Sequence, residues 1–349
     1  MVETARAMGL DWAPLKMARP GAVLRAAWNA ARVLRGRRPG GFQYSPLFLE
    51  RLWRRDAARV RGHAVLNCYQ LYPASLASER AVERWFYIDA TLRQLFGHYG
   101  TSASPAMQAA ALEAEFAGYA QARGVICHSE WAARSVREDY GIDPARVHVV
   151  VPGANILPAA LAGWQPPPLP TDGPLRLVFV GMDGRRKGLD RLLAAMPLAR
   201  EQGAAVSLRV IGCGPEAVPP ELRAVEGAEW LGRIDKRGAA ARFLDLVGGC
   251  EIGCLLSRAE MGGMVLREYA ALGLGAIAPD VGGAPEHCAP GAAALVSPEA
   301  SAQEIAALLA RLATRGDDYR AMRAAALAGR DAARWDASLA RIAAIIGAA

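Results

Sequence analysis

Lysine is nearly absent from this chain: of 41 basic residues only Lys16, Lys187 and Lys236 are lysines, and the other 38 are arginines. So strong a bias toward Arg makes each surviving Lys a position to ask about, because a compact ammonium does what a guanidinium fork cannot. For Lys16 and Lys236, chance survival is the simpler reading. Long apolar runs are missing too. No stretch approaches the roughly 18 to 20 residues that cross a bilayer, and Met1-Val2-Glu3-Thr4 opens neither a basic nor a hydrophobic leader segment. The expected location is the cytoplasm. Cys68, Cys127, Cys213, Cys250, Cys254 and Cys288 form no CxxC and have no His at metal-ligand spacing, so reduced structural thiols are expected.

What is present is a globular composition: 349 residues, 52% hydrophobic, with room for two cores. Disorder and coiled coil are excluded as global readings. The net charge of +7 is unevenly spread. Arg19, Arg25, Arg32, Arg35, Arg37 and Arg38 lie on or beside Ala22 to Leu34, where Val23, Ala27, Ala30, Ala31 and Leu34 recur at helical spacing. Such a basic amphipathic helix either lies on an anionic membrane surface or is an ordinary core helix with a solvated Arg face. No nucleic-acid-binding module accompanies the charge, and no nucleic acid partner is expected.

Between Pro152 and Pro174 fall seven of the chain's 22 prolines, a density at which neither helix nor strand is expected. The expected organisation is a first domain over 1–155, a linker over 156–174, a second domain over 175–330, and a terminal helix, 331–349, packed back on the first. In the first domain short apolar runs (His63 to Tyr69, Trp85 to Ile88, Val125 to His128, Val147 to Val151) alternate with the helical stretches Pro105 to Arg123 and Glu130 to Tyr140. The second repeats this rhythm more cleanly, from Leu175–Val180 to Ala293–Val296. Each reads as a parallel sheet wound with helices on both faces. Ligands in such sheets sit beyond the carboxyl ends of the strands.

Those ends carry the chemistry. Gly181-Met182-Asp183-Gly184-Arg185-Arg186-Lys187-Gly188 places three consecutive cations in a glycine-bounded loop that opens a helix, a setting for an anion. Ser257 to Glu268 repeats strand, glycine turn and helix, with Gly262 and Gly263 letting a ligand approach backbone. Asp280-Val281-Gly282-Gly283-Ala284-Pro285-Glu286 is a third such turn. The spacing of Glu260 and Glu268 proves little alone: with 19 Glu, chance supplies about one such pair, and Glu130/Glu138 and Glu221/Glu229 share it. Context selects Glu260/Glu268, the pair with a diglycine between its members and a buried strand ahead of it.

In this order the motifs resemble family 4 of the retaining glycosyltransferases, in the subgroup near the lipopolysaccharide-core glucosyltransferases. The likeness covers roughly residues 62 to 349. Leu177 to Asp190 looks like that family's phosphate loop and Glu260 to Glu268 like its Glu-x7-Glu motif. Asp280 to Glu286 looks like the loop that follows, and His128 to Trp131 and Val149 to Asn155 are similar to its first-domain closing strands. The resemblance implies a GT-B fold, two Rossmann-like domains facing a cleft that takes a UDP-, GDP- or ADP-sugar, and transfer of the sugar to a glycan or lipid-linked acceptor. It also implies roles: Arg186 and Lys187 on the leaving diphosphate, Glu268 on the ribose diol, Glu260 on the transferred sugar, and Gly181 and the backbone of Met261, Gly262 and Gly263 beside the donor. A donor phosphate oxygen would take the acceptor proton. No acidic metal motif stands at a strand end, so no metal and no cofactor are expected, the cations doing the neutralising.

Two features depart from the family pattern. Asp89, in Tyr87-Ile88-Asp89-Ala90-Thr91, stands where many relatives carry a His that reaches the donor sugar; it is either a substitute or a cap for the next helix. The first 40 residues supply no strand running into a glycine-rich loop, so the first β–α unit is missing or replaced. The competing reading is a catalytically silent nucleotide-sugar-binding scaffold or partner protein.

Overall fold

The computed structural model describes residues 1–14, 21–45, 48, 60, 64–71, 82–101, 103–168 and 172–347. Lys16, Arg19, His63 and Pro170 lie outside them. The chain divides into two compact units: Leu10–Val150 with the chain end from Ile342, and Glu3–Gly9 with Val151–Arg341.

The chain opens with α1 (Val2–Ala7) and α2 (Ala22–Leu34). The N-terminal unit then lays down β1 (Ala64–Asn67), β2 (Glu83–Ile88), β3 (Gly124–Cys127) and β4 (Val147–Val149), all parallel and side by side in chain order. Between them run α3 (Leu92–Tyr99), α4 (Pro105–Gln121) and α5 (Glu130–Glu138). Phe86 and Ile88 from β2, Tyr119 from α4, Val125 and Cys127 from β3 and Val136 from α5 form its core. The start of α3 corrects one expectation, because Thr91 rather than Asp89 caps it. The Thr91 hydroxyl accepts from the Gln94 N–H at 3.2 Å, and the Gln94 side chain accepts from the Thr91 N–H at 3.1 Å.

Helix α2 spans the residues its periodicity predicts, but the opposite face is buried. Val23 and Leu34 are 83% and 88% exposed, and Ala27, Ala30 and Ala31 are exposed with them. The inward row is Leu24, Trp28 and Arg32. Trp28 donates to Gly40 O at 3.2 Å and packs on Phe42, while the buried Arg32 donates to Arg38 O at 2.7 Å and contacts Met107 Sδ at 2.6 Å. The helix thus packs by one face and leaves Arg25 and Arg35 exposed, but the buried face is not the apolar stripe read from the sequence, and Arg32 is not a surface cation. Among the described residues no helix is long and apolar enough to cross a membrane.

The proline-rich stretch contains one turn of helix, α6 (Pro158–Leu161), with Pro158 at its first position. Density alone did not forbid it, because a first-turn N–H has no intrahelical partner to lose. Beyond it come β5 (Leu175–Val180), α7 (Leu189–Glu201), β6 (Val206–Ile211), β7 (Ala228–Gly232), α8 (Ala240–Gly248), β8 (Ile252–Cys254), α9 (Met264–Ala271), β9 (Gly275–Pro279), β10 (Ala293–Val296), α10 (Ala302–Ala313), α11 (Asp317–Ala328) and α12 (Trp335–Gly347). All six strands are parallel, in the order β10-β9-β8-β5-β6-β7. Alternation along β5 feeds two cores: Leu175, Leu177 and Phe179 face one, Val178 and Val180 the other. Burial on both faces is what makes Leu177 to Val180 a continuous apolar run.

Candidate functional site

Strand order reverses between β5 and β8, and a parallel sheet opens a crevice at the carboxyl ends of the strands where its order reverses. The loops after β5 and β8 are tied together there. Gly181 keeps its own N–H in the sheet, donating to Ile211 O at 2.8 Å. A Cβ on it would press on the Lys187 stem and the Phe179 ring. Asp183 shapes the loop: its carboxylate accepts from the Arg186 N–H at 3.0 Å and its carbonyl from the Lys187 N–H at 3.1 Å. Gly188 caps α7 in the left-handed region, φ +74°, where a Cβ would collide with the Leu256 carbonyl. The Leu256 N–H donates to Lys187 O at 3.1 Å. These ties hold Arg186 and Lys187 against the chain leaving β8.

That chain brings Glu260 to them. Its carboxylate is 7% exposed as a residue, accepts from Ser257 Oγ at 3.0 Å, and lies 3.7 Å from Arg186 Nη1 and 3.8 Å from Lys187 Nζ. Arg258 fastens the two loops from outside, pairing with Asp190 at 2.8 Å and donating to Arg185 O at 3.0 Å. The third glycine turn closes over the second: Gly282 (φ +59°) lies against the Glu260 carbonyl where a Cβ would clash, and the Gly283 N–H donates to Met261 O at 2.8 Å. Gly262 faces the buried His287 ring, and Gly263 starts α9.

One turn into α9, Glu268 is 3% exposed. Both of its oxygens accept from Lys236 Nζ, at 2.6 and 2.5 Å. Burial pushes the Glu268 carboxyl above its ordinary pKa, and the facing Lys236 charge opposes the rise. Burial likewise pulls the Lys187 ammonium below the usual lysine value, against the pull of Glu260. The cluster thus alternates three cations with two carboxylates. A desolvated pair keeps its charges only while each has its partner, so removing one member destabilises the other.

Of the residues singled out in the sequence, Gly181, Arg186, Lys187, Glu260, Met261, Gly262, Gly263 and Glu268 come together at this edge. Asp89 belongs to the N-terminal unit, where it stands half-buried after β2 and accepts from Gln70 Nε2 at 3.4 Å. Lys236 is the correction: it is no compositional survivor but the counter-charge of Glu268. The scarcity of lysine was the signal that could have found it. Ser257 and Arg258 stood inside a motif already quoted, and only the fold shows which groups they hold.

Residues 174–315 match the model of the family described as Glycosyl transferases group 1. A search of curated proteins finds no match. Among solved structures, sucrose-phosphate synthase from Thermosynechococcus elongatus is similar at TM-score 0.63 and 21% identity, over 87% of this chain and 78% of that one. Anabaena Alr3699/HepE in complex with UDP is similar at 0.62 and 16%, over 88% and 83%. WaaG, a glycosyltransferase involved in lipopolysaccharide biosynthesis, is similar at 0.60 and 16%, over 85% and 81%. At such identities the structures show the fold, the GT-B fold of glycosyltransferases. The family match makes residues 174–315 a group 1 glycosyltransferase domain.

Proposed function

We propose that this glycosyltransferase moves a sugar, with retention of configuration and without a metal, from a nucleotide-sugar donor to a glycan or lipid-linked acceptor. The observation that carries the reading is the convergence of Arg186 and Lys187 on Glu260 at the reversal of strand order, with the buried Glu268 on the adjoining helix. A diphosphate fits the two cations, and an inward-facing carboxylate suits a cis-diol, which offers two donors to two acceptor oxygens. The UDP bound to HepE and the lipopolysaccharide role of WaaG support the donor and acceptor classes.

In the transfer, the bond from the sugar's anomeric carbon to the donor phosphate oxygen breaks, and the acceptor oxygen bonds to that carbon on the same face. The acceptor proton passes to a phosphate oxygen of the departing nucleoside diphosphate. The charge growing on that diphosphate is what Arg186 and Lys187 stabilise. Glu260 holds hydroxyls of the transferred sugar, and the N–H groups of Met261, Gly262 and Gly263 line its approach. For Asp89 the deciding variant is Asp89→Asn: lost transfer with donor binding kept would give it the donor-sugar role.

The test of the whole reading is a thermal-shift panel of UDP-, GDP- and ADP-sugars, in which a ligand at ~100 times its Kd adds roughly 2.7 kcal/mol. Donor hydrolysis or transfer is then assayed with the best binder. Binding without either reaction would replace the enzyme by a silent nucleotide-sugar-binding scaffold.

The exposed stripe of α2 supports a second element of the reading, attachment to the cytoplasmic face of a membrane. Val23, Val33 and Leu34 are exposed, and Arg25, Arg35, Arg37 and Arg38 are exposed around them. Apolar side chains with arginines alongside are complementary to an anionic lipid surface.

A further inference from the structure

Lys236 stands on the turn between β7 and α8, its Nζ within 2.6 Å of both Glu268 oxygens and 4.7 Å from the centre of the Phe243 ring. We propose that Lys236 is a positioning residue for nucleotide recognition: its ammonium keeps the buried Glu268 carboxylate charged and oriented, so that both oxygens can accept from a donor's ribose diol. The proposal rests on the assignment of Glu268 to the ribose.

The argument begins with burial. At 3% exposure Glu268 has almost no water to share its charge, and a carboxylate so placed takes up a proton unless a cation faces it. Protonation would matter for recognition as well as for stability. An ionised carboxylate offers two acceptor oxygens, whereas the protonated group turns one of them into a donor, and a cis-diol then loses one of its two partners. Lys236 prevents this from a partly exposed position: its side chain is 35% exposed, and its ammonium reaches the carboxylate while lying over the Phe243 ring.

Among the described residues few other charges act on Glu268. Lys187 does so at longer range. The adjacent Tyr269 phenol donates to Val178 O at 3.3 Å and accepts from the Val180 N–H at 3.1 Å. Arg267 is turned to Pro152 O and Ala332 O, at 2.7 and 2.6 Å. The turns packed against α9 bring Glu286, His287 and Asp331. Of all these groups, Lys236 is the one whose cation contacts the carboxylate.

The experiment measures binding of UDP, GDP and ADP and of their 2′-deoxy counterparts by calorimetry between pH 6.5 and 9. It uses the full chain and its Lys236→Met, Lys236→Arg and Glu268→Gln variants, each first checked for cooperative thermal unfolding. The intact protein should show a nearly flat profile and a preference for ribose. Lys236→Met should bind about tenfold more weakly at pH 6.5, recover toward pH 9 as Glu268 ionises, and lose its preference for ribose at the lower pH. Lys236→Arg, which keeps the charge, should restore much of the affinity. A Lys236→Met profile parallel to that of the intact protein, whether unchanged or uniformly weakened, overturns the proposal, because attraction to phosphates alone would give the uniform loss. If Glu268→Gln binds as tightly as the intact protein with the same preference for ribose, the ribose assignment itself fails. If Glu268→Gln weakens binding and Lys236→Met does not, only the role of Lys236 fails.

Discussion

The two parallel sheets are built from the same kind of strand and differ in where they put their charge. Among the described residues of the N-terminal unit, β1 to β4 follow chain order without a reversal. A fully buried carboxyl there, Glu115, is sealed inside among Tyr119, Tyr140 and the Leu92 N–H. In the C-terminal unit the order reverses between β5 and β8, and two buried carboxylates, Glu260 and Glu268, stand at that opening with cations beside them, while a third, Glu251, is held by Arg315 and Tyr319. The lesson is topological. An uninterrupted order leaves no split in the sheet edge, so a buried carboxylate there is a matter of internal hydrogen bonds; a reversal parts the connecting helices and leaves room for a ligand.

The sharpest way to break this contrast is to remove the cation nearest the opening. Lys187→Ala should lower the rate of transfer about 100- to 1000-fold, the usual consequence of losing one preorganised charge stabiliser, with a smaller change in donor KM because the charge it meets grows in the transition state. Lys187→Arg should also be impaired. The Lys187 stem lies against the Gly181 backbone and its side chain is only 17% exposed, which leaves no room for a fork beside Arg186. Steady-state kinetics of both variants decide the matter, and unchanged turnover in Lys187→Ala would remove the residue from the mechanism.

Glu115 supplies the opposite kind of test, on stability. Three donors favour its charged form, yet burial outweighs them and pushes its pKa from 4.5 up to about 7. A carboxyl with a raised folded-state pKa stabilises the fold fully below its unfolded value, and that contribution is lost as pH rises through the folded one. Stability should therefore fall by roughly 3 kcal/mol or less between about pH 4.5 and 7 and level off above, at 1.36 kcal/mol per pKa unit. Glu115→Gln, neutral throughout, should flatten that slope. Denaturant midpoints measured from pH 4.5 to 8 compare the two proteins, and parallel curves would show that Glu115 carries no such linkage.

Much of the C-terminal sheet is legible because its strands are short, mostly apolar runs, two of them ending at a glycine, Gly181 and Gly212. Leu175–Val180, Val206–Ile211 and Ala293–Val296 have in the structure the ends read from the sequence. Strand length is blurred even inside the sheet, since the central β8 keeps only Ile252–Cys254 of the stretch read from Glu251 to Leu256. The site is legible where motif and strand end coincide, at Arg186, Lys187, Glu260 and Glu268. Lys236 was hidden because its role depends on a pairing across 32 residues that no local pattern encodes. The buried face of α2 was misread for a related reason: periodicity gives a helix its stripe, but Trp28 and Arg32 chose the inward side by what they reach, Gly40, Arg38 and Met107.

A weaker effect belongs to the N-terminal unit's outer surface, where charge faces outward rather than into an opening. Changing Arg25, Arg35 and Arg37 together to Glu should release the protein from vesicles rich in anionic phospholipid, each basic residue near such a surface being worth about 1 kcal/mol. Arg32→Glu, by contrast, should act through folding, because Arg32 is buried. Co-sedimentation of the triple variant at the level of the intact protein would sever α2 from any lipid surface.

The smallest change is expected from chelation. A nucleoside diphosphate leaving a sugar needs positive charge near its phosphates, and many such sites supply it as a divalent ion held by acidic side chains. Here the side chains at the crevice are Arg186 and Lys187, each less than 4 Å from Glu260, and they bring that charge on the chain itself. When the diphosphate arrives, both cations can turn from Glu260 to its oxygens, and Ser257 continues to donate to the carboxylate at 3.0 Å, so the exchange leaves no buried group without a partner. Transfer rates should accordingly be the same, within error, in EDTA and in added Mg²⁺ or Mn²⁺. Activity abolished by EDTA and restored by either ion would mean that the two side chains do not suffice and that the crevice recruits a metal through the donor's own phosphates.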